Sequence, residues 1–200
     1  MNGADSAMRR LDPSELAAWQ SIPSAVLSDE REHRGVLAGV RPLFAGRPFA
    51  AQALTIEVGA VADGAPRDAL ALAWPGACIV IDARATPNAA VWGGNLIRIA
   101  HARGVAGVVV DGCVRDVVDL RDTGIAVCSQ GVTPRGPTWG GRIGGVIHCG
   151  GVEIKPGDQI VGDDDGVIAV PLDDVNEDLL ARCRRIAPLR SISCRPTWKC

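Results

Sequence analysis

Apolar positions along this chain alternate between two rhythms, one helical and one strand-like, and the alternation predicts its elements in order. Asp12-Pro13-Ser14-Glu15 opens a first helix: Asp12 caps, Pro13 suits the first helical position, and Glu15 completes a capping box. A short second helix is expected over 24–32, ending near Gly35. A Gly- and Pro-punctuated stretch follows, with a strand where apolar residues alternate over 53–58. Residues 68–74 have a helical pattern stopped by Pro75-Gly76, and the run CIVI at 78–81 reads as a buried strand. Residues 82–92 read as a loop. A helix over 95–103 places Leu96, Ile99 and Ala100 on one face and stops at Gly104. A buried strand at 106–110, a helix at 115–122 stopped by Gly124, and a strand at 125–128 complete this part.

Strand, helix, strand, helix, strand at this spacing implies βαβ units and parallel pairing. The loops before Gly94 and before Arg115 then leave the C-terminal ends of parallel strands, on the sheet edge where open α/β folds hold their ligands. After Gln130 the character changes. VTPRGPTWGGRIGG is a Pro/Gly-rich loop, and residues 146–171 alternate apolar runs with PGD and DDDG turns, giving two or three antiparallel strands. A final helix is expected over 173–186, with Val175, Leu179, Leu180 and Cys183 as its apolar stripe. The fold class is therefore α/β: a βαβαβ parallel segment, then antiparallel strands and a C-terminal helix. One domain covers 1–187, and 188–200 reads as a tail.

Composition narrows the function classes. Of 200 residues, 47% are hydrophobic and 22% charged, an ordinary globular balance. The net charge of −2 gives no electrostatic case for nucleic acid or an anionic membrane. With five Trp, two Phe and no Tyr, a base-stacking surface is also unsupported. No apolar run suits a membrane span or a secretory signal, so a cytoplasmic protein is expected. Seven cysteines, with no CxxC pairing, read mainly as buried thiols, as at Cys78 and Cys128; Cys194 and Cys200 fall in the polar tail.

Two motifs carry candidate chemistry. At Gly93-Gly94-Asn95-Leu96 a glycine-opened helix start offers the amides of Gly94, Asn95 and Leu96 to a carboxylate; the plainer reading is a tight loop-to-helix junction. Arg115-Asp116 offers a carboxylate clamp beside a metal ligand; the plainer reading is a surface ion pair. Asp163-Asp164-Asp165-Gly166 lacks the spacing of a calcium loop and reads as a turn. His33, His101 and His148 are isolated, and no nucleophile-elbow, P-loop or dinucleotide signature occurs.

Taken together, GGNLIRIAHARGVAGVVVDGCVRD, GVTPRGPTWGG and CGGVEIKPGDQIVGDDDGVIAVP resemble the RraA-like family over about residues 22–175. That family includes 4-hydroxy-4-methyl-2-oxoglutarate / 4-carboxy-4-hydroxy-2-oxoadipate aldolases and the regulator of ribonuclease E activity. The resemblance implies a β/β/α swivelling-domain-like fold, assembled as a homotrimer or dimer of trimers with sites at subunit interfaces. It implies a divalent metal, Mg²⁺ or Mn²⁺, and a small 2-oxo-acid substrate. Arg115 would stabilise a pyruvate enolate, Asp116 would ligate the metal, and the amides of Asn95 and Leu96 would receive the pyruvyl carboxylate. The expected activity is a metal-dependent lyase: retro-aldol cleavage, oxaloacetate decarboxylation, or both. A diverged enzyme with another substrate and a non-catalytic ribonuclease regulator are the alternatives. The sequence departs from the aldolase pattern at Gly94, where an acidic residue would hold metal-bound water, and CRRIAPLRSI offers no match for an acidic residue of the C-terminal helix. The base is unassigned; Asp111 or a residue of another subunit is the candidate.

Overall fold

The computed structural model describes residues 9–59, 66–136 and 140–192, and side chains as far as 187. The elements in chain order are α1 Pro13–Gln20, α2 Ser24–Glu30, β1 Arg41–Pro42, β2 Phe49–Val58, α3 Pro66–Leu72, β3 Ala77–Asp82, β4 Ala90–Trp92, α4 Gly94–Ala102, β5 Gly107–Val114, α5 Val117–Asp122, β6 Ala126–Val132, β7 Gly141–Ile143, β8 Ile147–Cys149, β9 Val152–Ile154, β10 Gln159–Gly162, β11 Val167–Val170, a 3₁₀ turn Leu172–Asp174 and α6 Glu177–Ile192.

Among the described residues nine strands form one mixed sheet, in the order β1-β6-β5-β3-β2-β10-β11, with β4 on β5 and β7 on β2. β2, β3, β5 and β6 run parallel, as the βαβ spacing requires. β10 is antiparallel to both β2 and β11. β3 is buried along its whole length, as an apolar run bounded by turns predicts. Leu54, Ile56, Ile79, Ile81, Val108 and Val110 point to the face covered by α3, α4 and α5, while Ala53, Cys78, Val80 and Val109 point to the face covered by the β8–β9 hairpin. A third cluster packs α1, α2 and α6 against β10 and β11 through Trp19, Leu27, Ile168, Leu180 and others. The Asp12 box forms as expected: its carboxylate accepts from the Ser14 and Glu15 amides, and Glu15 accepts from the Asp12 amide at 2.9 Å.

Several boundaries differ from the expected ones, each for a local reason. The strand expected at 53–58 begins at Phe49, because β2 is buried on both faces there and shows no polar alternation. The helix at 68–74 runs instead over Pro66–Leu72, with proline in its first turn. The second helix stops at Glu30, since Glu32 and His33 adopt positive φ before Gly35. The stretch 82–92 is not all loop: β4 pairs in parallel with the end of β5. The helix expected from 115 starts at Val117, because Asp116 has left-handed backbone. Residues 146–171 hold four short strands rather than two or three; β8 and β9 are joined through Gly150 and Gly151, both at positive φ. Asp163–Gly166 forms the β10–β11 turn as read, closed by Asp163 N–H to the Gly166 carbonyl. The final helix begins at Glu177, not Asp173, because the Asn176 side chain accepts from the Leu179 amide; it continues to Ile192, past the expected tail boundary at 188. Cys194 and Cys200 lie outside the described residues. Among those described, no helix is long and apolar enough to cross a membrane.

Candidate functional site

The two motifs meet. β4 ends at Trp92, whose carbonyl accepts from the Arg115 amide at 2.9 Å, so the start of α4 and the end of β5 are held side by side. Above this junction lies a pocket of about 450 Å³, lined by Arg67 of α3, Ala90, Val91 and Trp92 of β4, Gly93, Asn95, Leu96, Arg98 and Ile99 of α4, and Arg115 and Asp116. Of the residues singled out from sequence, Gly93, Asn95, Leu96, Arg115 and Asp116 line it; Gly94 lies in the same turn.

Both glycines are explained by close approach. Gly93 has extended backbone that any residue adopts, but a Cβ there would sit 2.7 Å from Asp116 Oδ2 and 2.9 Å from Arg115 Cγ. A Cβ on Gly94 would sit 2.1 Å from Asp119 Oδ2. The Gly94 amide donates to Asp116 Oδ2 at 2.9 Å, and the Leu96 amide donates to the Gly93 carbonyl at 3.1 Å. Two of the three amides expected to meet a ligand are thus engaged within the protein, which leaves Asn95 as the amide of the turn to offer one.

Asp116 has φ 57° and ψ 49°. A non-glycine residue pays on the order of 1 kcal/mol for that conformation, and such strain concentrates at functional sites. It swings the carboxylate back over the Gly93-Gly94 turn instead of letting it extend α5. Arg115 Nε lies 3.7 Å from Asp116 Oδ2, and both side chains are partly exposed. A Cβ on Gly136 would come within 3.0 Å of an Arg115 terminal nitrogen, so the TPRG segment closes over the guanidinium. That segment is tied down by the Ala90 amide to the Arg135 carbonyl and the Thr133 amide to the Val114 carbonyl.

Sequence reasoning missed Arg67, Arg98, Asp119 and Trp92. Arg98 pairs with Asp119 at 3.0 Å and donates to Asn95 Oδ1 at 3.0 Å. The i, i+3 spacings of Asn95/Arg98 and Asp116/Asp119 were the available signal. Trp92 is buried, and its indole N–H finds no acceptor among the described residues. A buried donor without a partner requires explanation, and this one belongs to a residue of the pocket wall.

Asp111 is not beside this pocket. It faces the opposite side of the sheet, buried, where it accepts from the Gly150 amide at 2.8 Å and from the Gln130 side-chain amide. Next to it the Asp82 carboxylate takes two bonds from Arg84, at 3.0 and 2.7 Å. Burial would raise the Asp82 pKa, but the Arg84 bonds and charge outweigh it and hold the group below its ordinary value. Burial pushes the Cys128 thiol up to about 12 and the Cys183 thiol up to about 11, so these are inert core thiols.

The carboxylate donor lining the pocket is Asp116; Asp119, one helical turn on, is engaged with Arg98. No group of three or more His, Cys, Asp or Glu suited to a metal occurs among the described residues, so a closed zinc-type cage is not built here. One or two carboxylates completed by water and ligand oxygens is the donor set that suits a hydrated Mg²⁺ or Mn²⁺.

The RraA-like family model, described as Aldolase/RraA, matches residues 24–169. A Halalkalibacterium halodurans protein provisionally named a 4-hydroxy-4-methyl-2-oxoglutarate aldolase is 33% identical over 159 residues, covering 78% of this chain and 76% of its own. A Thermus thermophilus protein named 4-hydroxy-4-methyl-2-oxoglutarate aldolase is 34% identical over 98 residues, 48% of this chain and 60% of its own. The crystal structure of Streptomyces coelicolor RraAS2, described as an unusual member of the RNase ES inhibitor RraA protein family, superposes with a TM-score of 0.82 at 26% identity, covering 92% of this chain and 98% of that one.

Proposed function

The chain belongs to the RraA-like, or Aldolase/RraA, family, and from that premise we propose that it is a divalent-metal-dependent lyase acting on a pyruvyl-type 2-oxo acid. The observation that carries this reading is the convergence of Arg115, Asp116 and the α4 turn on one pocket. The strained aspartate beside a glycine-cradled arginine in this cleft favours chemistry over surface binding.

In the proposed reaction the substrate carboxylate and keto oxygen lie between the Asn95 amide and the Arg115 guanidinium. In retro-aldol cleavage the C4 hydroxyl gives its proton to solvent water, the C3–C4 bond breaks, its electron pair passes into the C2 carbonyl to give pyruvate enolate plus a carbonyl product, and water returns a proton to C3 of the enolate. Oxaloacetate would lose CO₂ across the equivalent bond and give the same enolate. Arg115 stabilises the negative charge as it develops on the enolate oxygen. Gly93 and Gly136 let the Arg115 side chain lie against their backbone, because a Cβ at either position would crowd it. Asp116 Oδ2 accepts from the Gly94 amide, and the Asp116 carboxylate would hold a bound cation. A bound Mg²⁺ or Mn²⁺ would supply Lewis-acid polarisation of the keto group. Asp111 faces the other side of the sheet, bonded to Gly150 and Gln130, and does not serve as the base. We further propose a homotrimer or dimer of trimers, with α3 and α5 beside the interface; Leu72 and Val118 on these helices are more than half exposed in the single chain.

The test is pyruvate release from 4-hydroxy-4-methyl-2-oxoglutarate and from oxaloacetate, with Mg²⁺ or Mn²⁺ and with EDTA. Turnover is expected to need the metal, and Arg115→Ala to lower kcat by about 100-fold or more. Absence of metal-dependent turnover on both substrates, with Arg115→Ala matching the parent, would sink the proposal.

A further inference from the structure

Gly94 lacks a side chain, yet its side-chain space is filled: the position a Cβ would take lies 2.1 Å from Asp119 Oδ2 and 2.9 Å from Asp119 Cγ. Asp119 therefore enters the α4 surface only because residue 94 is glycine. From there its other oxygen, Oδ1, pairs with Arg98 Nη1 at 3.0 Å, while Arg98 Nη2 donates to Asn95 Oδ1 at 3.0 Å. The guanidinium is thus held from two sides on the wall of the pocket. Left alone, an arginine more than half exposed on a helix surface would sample many rotamers.

We infer that Arg98 is the specificity residue of the pocket, reading a second carboxylate of the substrate, and that Asp119 and Gly94 are positioning residues that fix it. The inference rests on the lyase reading and deepens it by naming the residue that meets the far carboxylate of such a substrate. Arg98 lies four residues, about 6 Å of helix axis, beyond Gly94. Arg98 and Arg115 line the same pocket, so the two ends of one ligand can meet both guanidiniums. The lining carries three guanidiniums, Arg67, Arg98 and Arg115, against the single carboxylate of Asp116. That excess of positive charge matches a dianion. The Asp119 partner partly offsets the Arg98 charge, but a planar guanidinium keeps further N–H donors after two are used. A site built to bond a charged group discriminates strongly against a ligand that lacks it.

The experiment compares oxaloacetate, which has a second carboxylate, with pyruvate, which does not. KM and kcat for oxaloacetate and competitive inhibition by pyruvate are measured with Mn²⁺ for the parent and for Arg98→Met, Asp119→Asn and Gly94→Ala. Direct titration calorimetry of both ligands is run alongside. Arg98→Met is expected to raise KM for oxaloacetate about 10- to 100-fold while pyruvate affinity stays within about twofold. Asp119→Asn and Gly94→Ala should give the same pattern at smaller amplitude, and Arg98→Lys should recover part of the loss. Far-ultraviolet circular dichroism of each variant confirms folding. Equal weakening of oxaloacetate and pyruvate by Arg98→Met, or no weakening of either, overturns the inference while leaving the lyase reading intact if Arg115→Ala still abolishes turnover. A parent protein that binds neither ligand overturns both.

Discussion

Single residues in this protein act through the space they leave as much as through the groups they carry. Gly93 and Gly94 carry no chemistry of their own, yet a methyl group on either would collide with a carboxylate. Asp116 shows the converse, a side chain delivered to the pocket by a backbone conformation that it adopts at some cost. On the far face of the sheet, Asp82 and Asp111 are both buried and share the charge of one arginine, Arg84. Against the opposing effect of burial, the Arg84 bonds and charge hold the Asp82 carboxyl below its ordinary range in the folded chain. A carboxylate with a lowered folded pKa contributes stability that is present above the unfolded pKa and is lost as pH falls through the folded value. Asp82→Asn should therefore destabilise the protein at pH 7 by about 2 kcal/mol and flatten the fall in stability below about pH 4. Urea unfolding at a series of pH values measures this; a parallel shift at every pH would contradict the assignment to Asp82.

At the level of elements, the parallel segment was legible because buried strands are short apolar runs and their crossover helices repeat at helical spacing. CIVI at 78–81 and, on α4, Leu96 and Ala100 state their environment locally, whereas the expected stripe named Ile99, which is partly buried in the pocket wall, and the residue fully in the core is Ile97. β4 was not legible. Three residues carry no periodicity, and β4 exists only because the end of β5 supplies a partner. Phe49 is another tertiary decision: its ring lies over Gly107 of β5 and Gly162 of β10, where added Cβ atoms would come within 2.7 and 2.4 Å of it. Glycine inside a strand normally weakens it, and here it makes room for the ring. Gly107→Ala is expected to lower stability by about 2 kcal/mol through overpacking, measured by thermal or urea unfolding. Combining it with Phe49→Leu should recover part of the loss, because the two sites share one contact. Strict additivity of the two substitutions would argue against that packing.

For the whole molecule, the sheet joins three packed clusters, and the pocket opens beside α3 and α5, where Leu72 and Val118 remain exposed. If these helices border a subunit interface, light scattering should give a mass of three or six chains, and Val118→Glu should shift the population toward monomer. A monodisperse monomer at assay concentration would refute the assembly. The sequence by itself determined the α/β class, the order of the parallel segment and the common sheet edge on which its two motifs, with Arg115 and Asp116, meet. Those features rest on local periodicity and on chain connectivity, which a sequence states directly. Only the tertiary structure decided that Asp111 faces away, that Asp116 is left-handed, and that the space beside Gly94 is filled by Asp119 holding Arg98. Each of these depends on which side chain occupies a given volume, and segments distant in sequence determine that together. The stretch from Gly93 to Asp116 marks the pocket, and the packing of α4 against α5 decides which side chains fill the space around it.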